Sequence, residues 1–243
     1  MRYSNYFKDG QKILMKALAN GTGKARFEVL TVYFRDLGTG HFDLELPYRS
    51  RGTEQYPFET GMPFELLSDA FGLGIRMTAS YLERLTDDVI RLRVNNDLQI
   101  FQRRVSPRLE LEVGIRYTKA RGRLRSFREQ WEKNVDLLQS SNGTISLPDF
   151  QPCEVNLSSG GLGFSLKSTT EVADLCLLLL NLDPATRPIC ALAEVVWLEK
   201  GNKEARRAGL QFLNILEEDR SRIDQLVKKF RPKERTNPFG LPA

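Results

Sequence analysis

Along most of the chain, apolar and polar residues alternate with a period of two, which is typical of half-buried β-strands. Between residues 26 and 34, Phe27, Val29, Thr31 and Tyr33 alternate with their neighbours in this way. The same alternation, or a short apolar run between turn residues, predicts further strands at 41–46, 62–67, 74–79 and 89–94. Residues 1–100 are therefore expected to form a small, mostly β N-terminal domain.

The second half of the chain shows the same alternation. Between Leu109 and Tyr117 every second residue is apolar, which predicts a strand. Further strands are predicted at 153–155, 163–166, 175–182, 189–198 and 207–213. Strands of this length with turn signals between them favour a β-barrel.

Three segments depart from the period of two and predict helices. Residues 4–20 carry apolar residues at helical spacing, although Gly10 weakens the pattern, and residues 119–139 carry a longer apolar stripe. That stripe must cover its own barrel, the N-terminal domain or another subunit. Residues 217–229 begin with acidic residues and end with lysines, which matches the helix macrodipole, and Pro232 ends this helix.

Composition excludes several classes of function. The chain has 243 residues, 41% of them hydrophobic, and a net charge of only +5. That charge is too modest to require nucleic-acid binding, and no stretch interleaves aromatic and basic residues as a nucleic-acid-binding barrel would. The longest apolar run, 175–180, is far too short to cross a bilayer, and we recognise no signal peptide. We therefore expect a cytoplasmic protein without membrane insertion or a nucleic-acid polymer as partner.

The residues that usually carry catalysis are sparse. The only histidine is His41, and the three cysteines, Cys153, Cys176 and Cys190, have no CxxC spacing. They are expected to be packed, reduced thiols and not a disulfide framework or a zinc site. The glycine-rich segments lack a P-loop, and no nucleophile–base–orienter set is present. The sequence thus predicts no enzymatic activity, no metal and no cofactor.

A short basic segment, Gln102–Arg108, contains Arg103, Arg104 and Arg108. An arginine side chain is a permanently charged fork that can grip a phosphate, or the O6 and N7 acceptors of guanine, through two parallel hydrogen bonds. Pro107 restricts its own backbone and that of the residue before it, which favours a semi-extended linker. Taken alone, the segment is more typical of a solvated basic loop.

A second segment, 156–161, has the pattern N-x-S-x-x-G. Asn156 and Ser158 offer short side chains that can hydrogen-bond a base edge, a phosphate or the local backbone. Gly160 and Gly161 permit a close approach of the backbone to a ligand. Taken alone, this pattern is also that of an ordinary turn.

The two segments in this order resemble the ligand site of PilZ domains, bacterial receptors for the dinucleotide cyclic di-GMP. The resemblance extends over residues 100–231. It includes a glycine-rich strand at 161–164, a strand that ends in Trp197, a strand at 209–212 and the terminal helix. It implies a six-stranded barrel with a terminal helix. The implied ligand-binding residues are Arg103, Arg104, Arg108, Asn156, Ser158, Gly160 and Gly161.

The N-terminal region resembles, more weakly, the split-barrel-like domain of YcgR-type members of this family. The expected fold is therefore mainly β, with two β-barrel domains and an inserted helix. The expected divisions are an N-terminal domain at 1–100, a PilZ domain at 101–231 and a flexible tail at 232–243.

The resemblance also implies a mode of action. One or two cyclic di-GMP molecules would bind at the junction between the domains and reorient them. The signal would then pass to an unidentified partner protein that controls motility, biofilm or exopolysaccharide, with the receptor a monomer or homodimer. The alternative is a PilZ-fold protein-interaction module with weak or no ligand binding.

Overall fold

The computed structural model describes residues 3–18, 26–48, 55–70, 73–101, 107–120, 124–140, 149–167, 169–199 and 205–230. Within these ranges the protein is mainly β, as predicted from the sequence. The described residues form thirteen antiparallel strands, two α-helices and one turn of 3-10 helix at Tyr3–Asn5.

The first six strands form a closed ring. The strands of this N-terminal barrel, together with a short seventh strand, are β1 (Lys12–Ala17), β2 (Arg26–Gly38), β3 (His41–Glu45), β4 (Pro63–Ala70), β5 (Leu73–Arg84), β6 (Val89–Val94) and β7 (Gln99–Phe101). Their order is β1-β4-β5-β6-β3-β2, and the pairing of β1 with β2 closes the ring. Closure leaves these six strands without a free edge.

The remaining strands form a second ring. The elements of this C-terminal barrel are β8 (Leu109–Ala120), α1 (Leu124–Ser140), β9 (Gln151–Ser158), β10 (Gly161–Lys167), β11 (Leu175–Asn181), β12 (Ile189–Leu198), β13 (Ala205–Leu216) and α2 (Glu217–Phe230). Their order is β13-β10-β9-β8-β11-β12, and the pairing of β12 with β13 closes it. The predicted six-stranded barrel with an inserted and a terminal helix is confirmed.

Backbone pairing also joins the two barrels. The start of β2 pairs with the end of β13, where Glu28 lies opposite Asn214 and Arg26 lies opposite Leu216. Each of these two strands therefore has neighbours in both barrels, and one hydrogen-bonded sheet runs through both rings.

Two apolar clusters fill the structure. One lies inside the C-terminal barrel around side chains such as Phe164 and Phe212. The other fills the N-terminal barrel around Phe42 and Phe64, and it continues across the outer face of β11 and β12 to α1. Because β11 is covered on both faces, it is an almost continuous apolar run and not an alternating one.

Helix α1 lies against β11 and β12 of its own barrel and also reaches the N-terminal barrel. The fully buried Trp131 donates a hydrogen bond from its indole N–H to the backbone oxygen of Cys190 at 3.0 Å. Arg128 forms an ion pair of 2.9 Å with Glu28, and its guanidinium lies 4.8 Å from the ring centre of Tyr56. The apolar stripe of α1 was expected to cover its own barrel, the N-terminal domain or another subunit. The helix contacts the first two of these. It begins at Leu124, because residues 119 and 120 complete β8.

The predicted helix at 4–20 is wrong. Residues 12–17 form β1, with Ile13 and Met15 buried on one face, and the strand pairs with both β2 and β4. Gly10 has a positive φ of 73° and sits in the turn before the strand. Two neighbouring strands offer more backbone hydrogen bonds and burial than a weak amphipathic helix could, so tertiary pairing outweighed the local pattern.

Residues 99–101, where the sequence pattern predicted no strand, form the short strand β7. β7 pairs with β5 through Gly74, Ile75 and Arg76. The ring of Phe101 lies so close to Gly74 that a Cβ atom there would come within 2.6 Å of it. The basic segment thus leaves the N-terminal barrel from an anchored strand. The predicted flexible tail, 232–243, lies outside the described residues.

Candidate functional site

The hairpin of β9 and β10 brings together four of the predicted site residues. Ser158 and Gly161 form its last backbone pair, and Ser159 and Gly160 make the turn between them. The Ser158 hydroxyl donates to the Gly161 oxygen at 3.2 Å, and the residue is only 8% exposed. Ser158 therefore fixes the shape of the turn from within.

The two glycines of the hairpin have different roles. At Gly161, a Cβ atom would collide with the backbone oxygen of Leu210 on β13, so only glycine lets the two strands approach this closely. Gly160 is exposed and has open space around its Cα, while its carbonyl accepts a hydrogen bond of 3.0 Å from the N–H of Phe212. Gly161 thus allows close strand packing, and Gly160 leaves the tip of the hairpin exposed.

Arg108 lies beside this hairpin. It directly precedes Leu109, which pairs with Leu157 between the two polar residues of the motif, and its side chain is exposed. The structure thus brings Arg108 together with Asn156 and Ser158. Arg103 and Arg104 lie outside the described residues.

Charged side chains flank Asn156. Its amide donates to the Glu110 carboxylate at 3.4 Å, and the guanidinium of Arg207 lies 4.0 Å from the same carboxylate. Glu110 is 78% exposed, so water and salt screen its charge and the side chain can move aside at small cost. Arg108 and Arg207 bring two positive charges to the surroundings of Asn156.

A row of paired residues continues from Asn156 across the outer face of the barrel. Asn156 pairs with Gly163, Gly163 with Gly209, and Gly209 with Trp197. A Cβ atom at Gly209 would collide with the Trp197 indole, which rests on this glycine and is 45% exposed. No side chain stands between Asn156 and the indole in this row. The sequence motif showed an aromatic at this strand end, but only the strand register places it beside Asn156.

A second row runs from the tip of the hairpin. Ser158 pairs with Gly161, Gly161 with Gln211, and Gln211 with Glu194 on β12. The Glu194 side chain is 1% exposed and faces the N-terminal barrel, where it contacts Tyr48 and Lys12. Sequence reasoning did not single out Glu194, because nothing local indicates that this strand lies at the contact between the barrels.

We also searched the described residues for metal sites, reactive thiols and membrane-spanning helices. No group of three or more histidine, cysteine or acidic side chains is arranged there to hold a metal ion. Burial raises the pKa of both Cys176 and Cys190 to about 12, so these thiols stay protonated and unreactive at neutral pH. Neither described helix has the length and apolar character that a membrane span needs.

Comparisons with known proteins agree with the sequence motifs. The family model of the PilZ domain matches residues 102–229, which include both motifs and end within α2. No curated protein matches the sequence.

Similar solved structures include the Bacillus subtilis inhibitor of motility MotI/DgrA, with 13% identity and a TM-score of 0.37 over 94% of this chain and 100% of that one. They also include MrkH of K. pneumonia in complex with c-di-GMP, with 15% identity and a TM-score of 0.32 over 90% and 86%. A third is Escherichia coli YcgR in complex with c-di-GMP, with 11% identity and a TM-score of 0.32 over 90% and 83%. Likenesses this distant carry no weight for the function of this chain.

Proposed function

Because this chain belongs to the PilZ domain family, we propose that it is a receptor for cyclic di-GMP that binds the dinucleotide without turning it over. The observation that carries the proposal is the N-x-S-x-x-G hairpin with Arg108 beside it. In this arrangement an exposed arginine, which can bind phosphates as a charged fork, lies next to the strand pair that carries Asn156 and the glycine turn.

The proposed roles follow from side-chain chemistry. Arg104 and Arg108 grip the phosphates or the O6/N7 edge of guanine, and Arg103 assists them. Asn156 hydrogen-bonds a base edge or a phosphate once Glu110 turns away. Ser158 and Gly161 shape the hairpin, and Gly160 gives the ligand access to the backbone at its tip.

Trp197 adds a surface for a base. Three strand spacings of about 4.8 Å separate the backbones of Asn156 and Trp197, and the row between them holds only glycines. We propose that one guanine stacks on the exposed indole while the phosphates lie nearer to Arg108. Base–aromatic stacking of this kind contributes roughly 1–3 kcal/mol.

We further propose that the ligand sits at the junction of the barrels and changes their arrangement. The basic segment connects β7, which is paired in the N-terminal barrel, with β8 of the C-terminal barrel. A ligand that gathers its arginines onto the hairpin therefore bears on both barrels. The signal would pass to a partner protein in the cytoplasm, with motility, biofilm or exopolysaccharide as the output.

Titration calorimetry with cyclic di-GMP tests the proposal. We expect saturable binding to the full chain, with Arg104→Ala and Arg108→Ala each weakening it about 30-fold or more, since a lost charge-assisted contact is worth roughly 2–5 kcal/mol. Arg125→Ala, an exposed arginine on α1, is the matched control and should retain the wild-type affinity.

Three further outcomes sharpen this test. Asn156→Ala should weaken binding without changing its salt dependence, because a neutral side chain is removed. Cyclic di-AMP should compete poorly, since adenine presents a donor where guanine presents O6. Folded protein that gives no heat with cyclic di-GMP would contradict the proposal and favour a PilZ-fold interaction module instead.

A further inference from the structure

A buried carboxylate lies at the contact between the two barrels. The Glu194 side chain is 1% exposed, and its Oε2 accepts a hydrogen bond of 3.1 Å from the Tyr48 hydroxyl of the N-terminal barrel. Its Oε1 accepts no hydrogen bond within the described residues, and Lys12 Nζ lies 3.6 Å away as its ion-pair partner. One hydrogen bond and one longer ion pair do not fully offset the desolvation cost of burying the negative charge of this carboxylate.

The contact continues into the backbone of β2. Tyr48 accepts a hydrogen bond of 2.8 Å from the amide of Thr31, which is fully buried. Residues 26–28 of β2 pair with β13, and residues from Tyr33 onward pair with β3. On this edge of β2, Thr31 lies in the gap between the two pairings, so the Tyr48 hydroxyl takes the place of a missing strand partner there. On the other edge, Thr31 pairs with Leu14 of β1. Burial, aided by the charge of Glu194, raises the pKa of Tyr48 well above its usual value, so the phenol stays a donor.

The same carboxylate shares a row with the candidate ligand site. Glu194 pairs with Gln211, and Gln211 pairs with Gly161 at the tip of the hairpin. Two strand spacings of about 4.8 Å place the Glu194 backbone roughly 10 Å from Gly161. A dianionic ligand at the hairpin would therefore repel Glu194 and attract Lys12 over a distance at which charges inside a protein still interact. Lys12 is 33% exposed, so its ammonium group can turn toward such a ligand.

We propose that Glu194 is a positioning residue that couples ligand occupancy to the contact between the barrels. A dinucleotide bound at the hairpin draws Lys12 away from Glu194, and the carboxylate, now less compensated, loosens the Tyr48–Glu194 contact. The inference rests on the proposed function, since it specifies how that site is regulated. By linkage, whatever holds the contact together also opposes the ligand.

The amide of Thr31 provides the readout, because its hydrogen bond depends on Tyr48. Hydrogen exchange of this amide is measured on the full chain with and without saturating cyclic di-GMP, and affinity is measured by calorimetry. In the wild-type protein the ligand should accelerate exchange at Thr31. In Glu194→Gln the amide oxygen still accepts the Tyr48 hydrogen bond but carries no charge that needs compensation, so the ligand should no longer change exchange at Thr31. Affinity should rise roughly 5-fold or more, the lower bound of typical allosteric coupling, because the ligand no longer has to draw Lys12 away from a carboxylate.

Two further variants isolate the cause. Tyr48→Phe removes the hydroxyl but no charge, and it should also abolish the effect of the ligand on Thr31. Glu154→Gln removes an exposed carboxylate from β9, on the ligand-binding barrel and away from the contact, and it should leave exchange at Thr31 unchanged.

The outcomes separate the two proposals. Wild-type protein that binds cyclic di-GMP while exchange at Thr31 stays the same overturns the coupling and leaves the receptor function standing. Equal affinity of the wild type and Glu194→Gln does so as well. Wild-type protein that binds no cyclic di-GMP overturns both.

Discussion

At the scale of single residues, the ion pair between Asp43 and Arg91 shows how two paired strands are held in register. The two residues face each other across β3 and β6, and the guanidinium donates two hydrogen bonds of 2.7 and 2.8 Å to the two carboxylate oxygens. Hydrogen bonds from Arg91, together with its charge, lower the pKa of Asp43 below its usual value, although burial opposes this. The pair should therefore stabilise the fold only where Asp43 is ionised.

We expect Asp43→Asn to cost roughly 1–2 kcal/mol of unfolding free energy at pH 7, since bidentate, charge-assisted hydrogen bonds are lost. The lowered pKa sets the sign of the pH effect: the stabilisation is complete above the ordinary aspartate pKa of about 4 and disappears as the pH falls through the lower folded value. Urea unfolding from pH 7 to pH 2.5 measures it. Exposed Asp149→Asn is the control, and a cost for Asp43→Asn that does not depend on pH would contradict this account.

Within the candidate site, some residues could be identified from the sequence and others could not. Asn156, Ser158 and Gly161 could be found because their motif is continuous in sequence, and the structure places them on one hairpin. Trp197 and Glu194 could not be linked to them, because the register between strands far apart in the chain decides which side chains share a row. The roles of all these residues in ligand binding stay a prediction.

At the scale of elements, α1 is held against the C-terminal barrel by Trp131. Trp131 is the largest fully buried side chain, and it joins the helix to β12 through the Cys190 carbonyl. Trp131→Ala should lower the unfolding free energy by roughly 3–5 kcal/mol, because a large cavity opens and that carbonyl loses its donor.

Denaturant unfolding followed by circular dichroism measures this cost. The exposed Leu137→Ala on the same helix should cost less than about 0.5 kcal/mol. Similar losses for the two variants would mean that the helix is not held through its tryptophan.

How well an element could be predicted depended on what surrounds it. The strands at 89–94 and 189–198 were predicted with the observed bounds, because turn residues bound them clearly on both sides. The strand at 12–17 was mistaken for a helix, because the local pattern of a short amphipathic segment does not show that β2 and β4 will pair with it. The helix at 217–229 was predicted from its charges and is extended by one residue.

At the scale of the whole molecule, the two barrels are closely connected. They share backbone pairing between β2 and β13, an apolar cluster, and the ion pair of Arg128 with Glu28. The division of the chain into domains at residue 100 stays a prediction, since these contacts cross it. A ligand-induced rearrangement would therefore be a pivot about the shared strands and not a separation.

Small-angle scattering with and without cyclic di-GMP tests this rearrangement. We expect the profiles to differ because the barrels reorient, and hydrogen exchange across residues 97–108 to slow because the ligand binds the arginines of that connection. Arg108→Ala, which should not bind, is the control for effects of the added nucleotide. Superimposable profiles together with unchanged exchange at 97–108 would show that the ligand binds without moving the barrels.

The pairing of residues 26–28 with residues 214–216 also sets the order of events during synthesis. When β2 leaves the ribosome, its partner β13 has not yet been translated, and it stays unavailable until residues 205–216 have emerged. The start of β2 must therefore remain unpaired on that side during translation, when an open strand edge can join another nascent chain. Contacts between such distant parts of a chain form late and slow folding. The N-terminal barrel can thus close early through β1 and β2, but the finished molecule is assembled only when its C-terminal strand arrives.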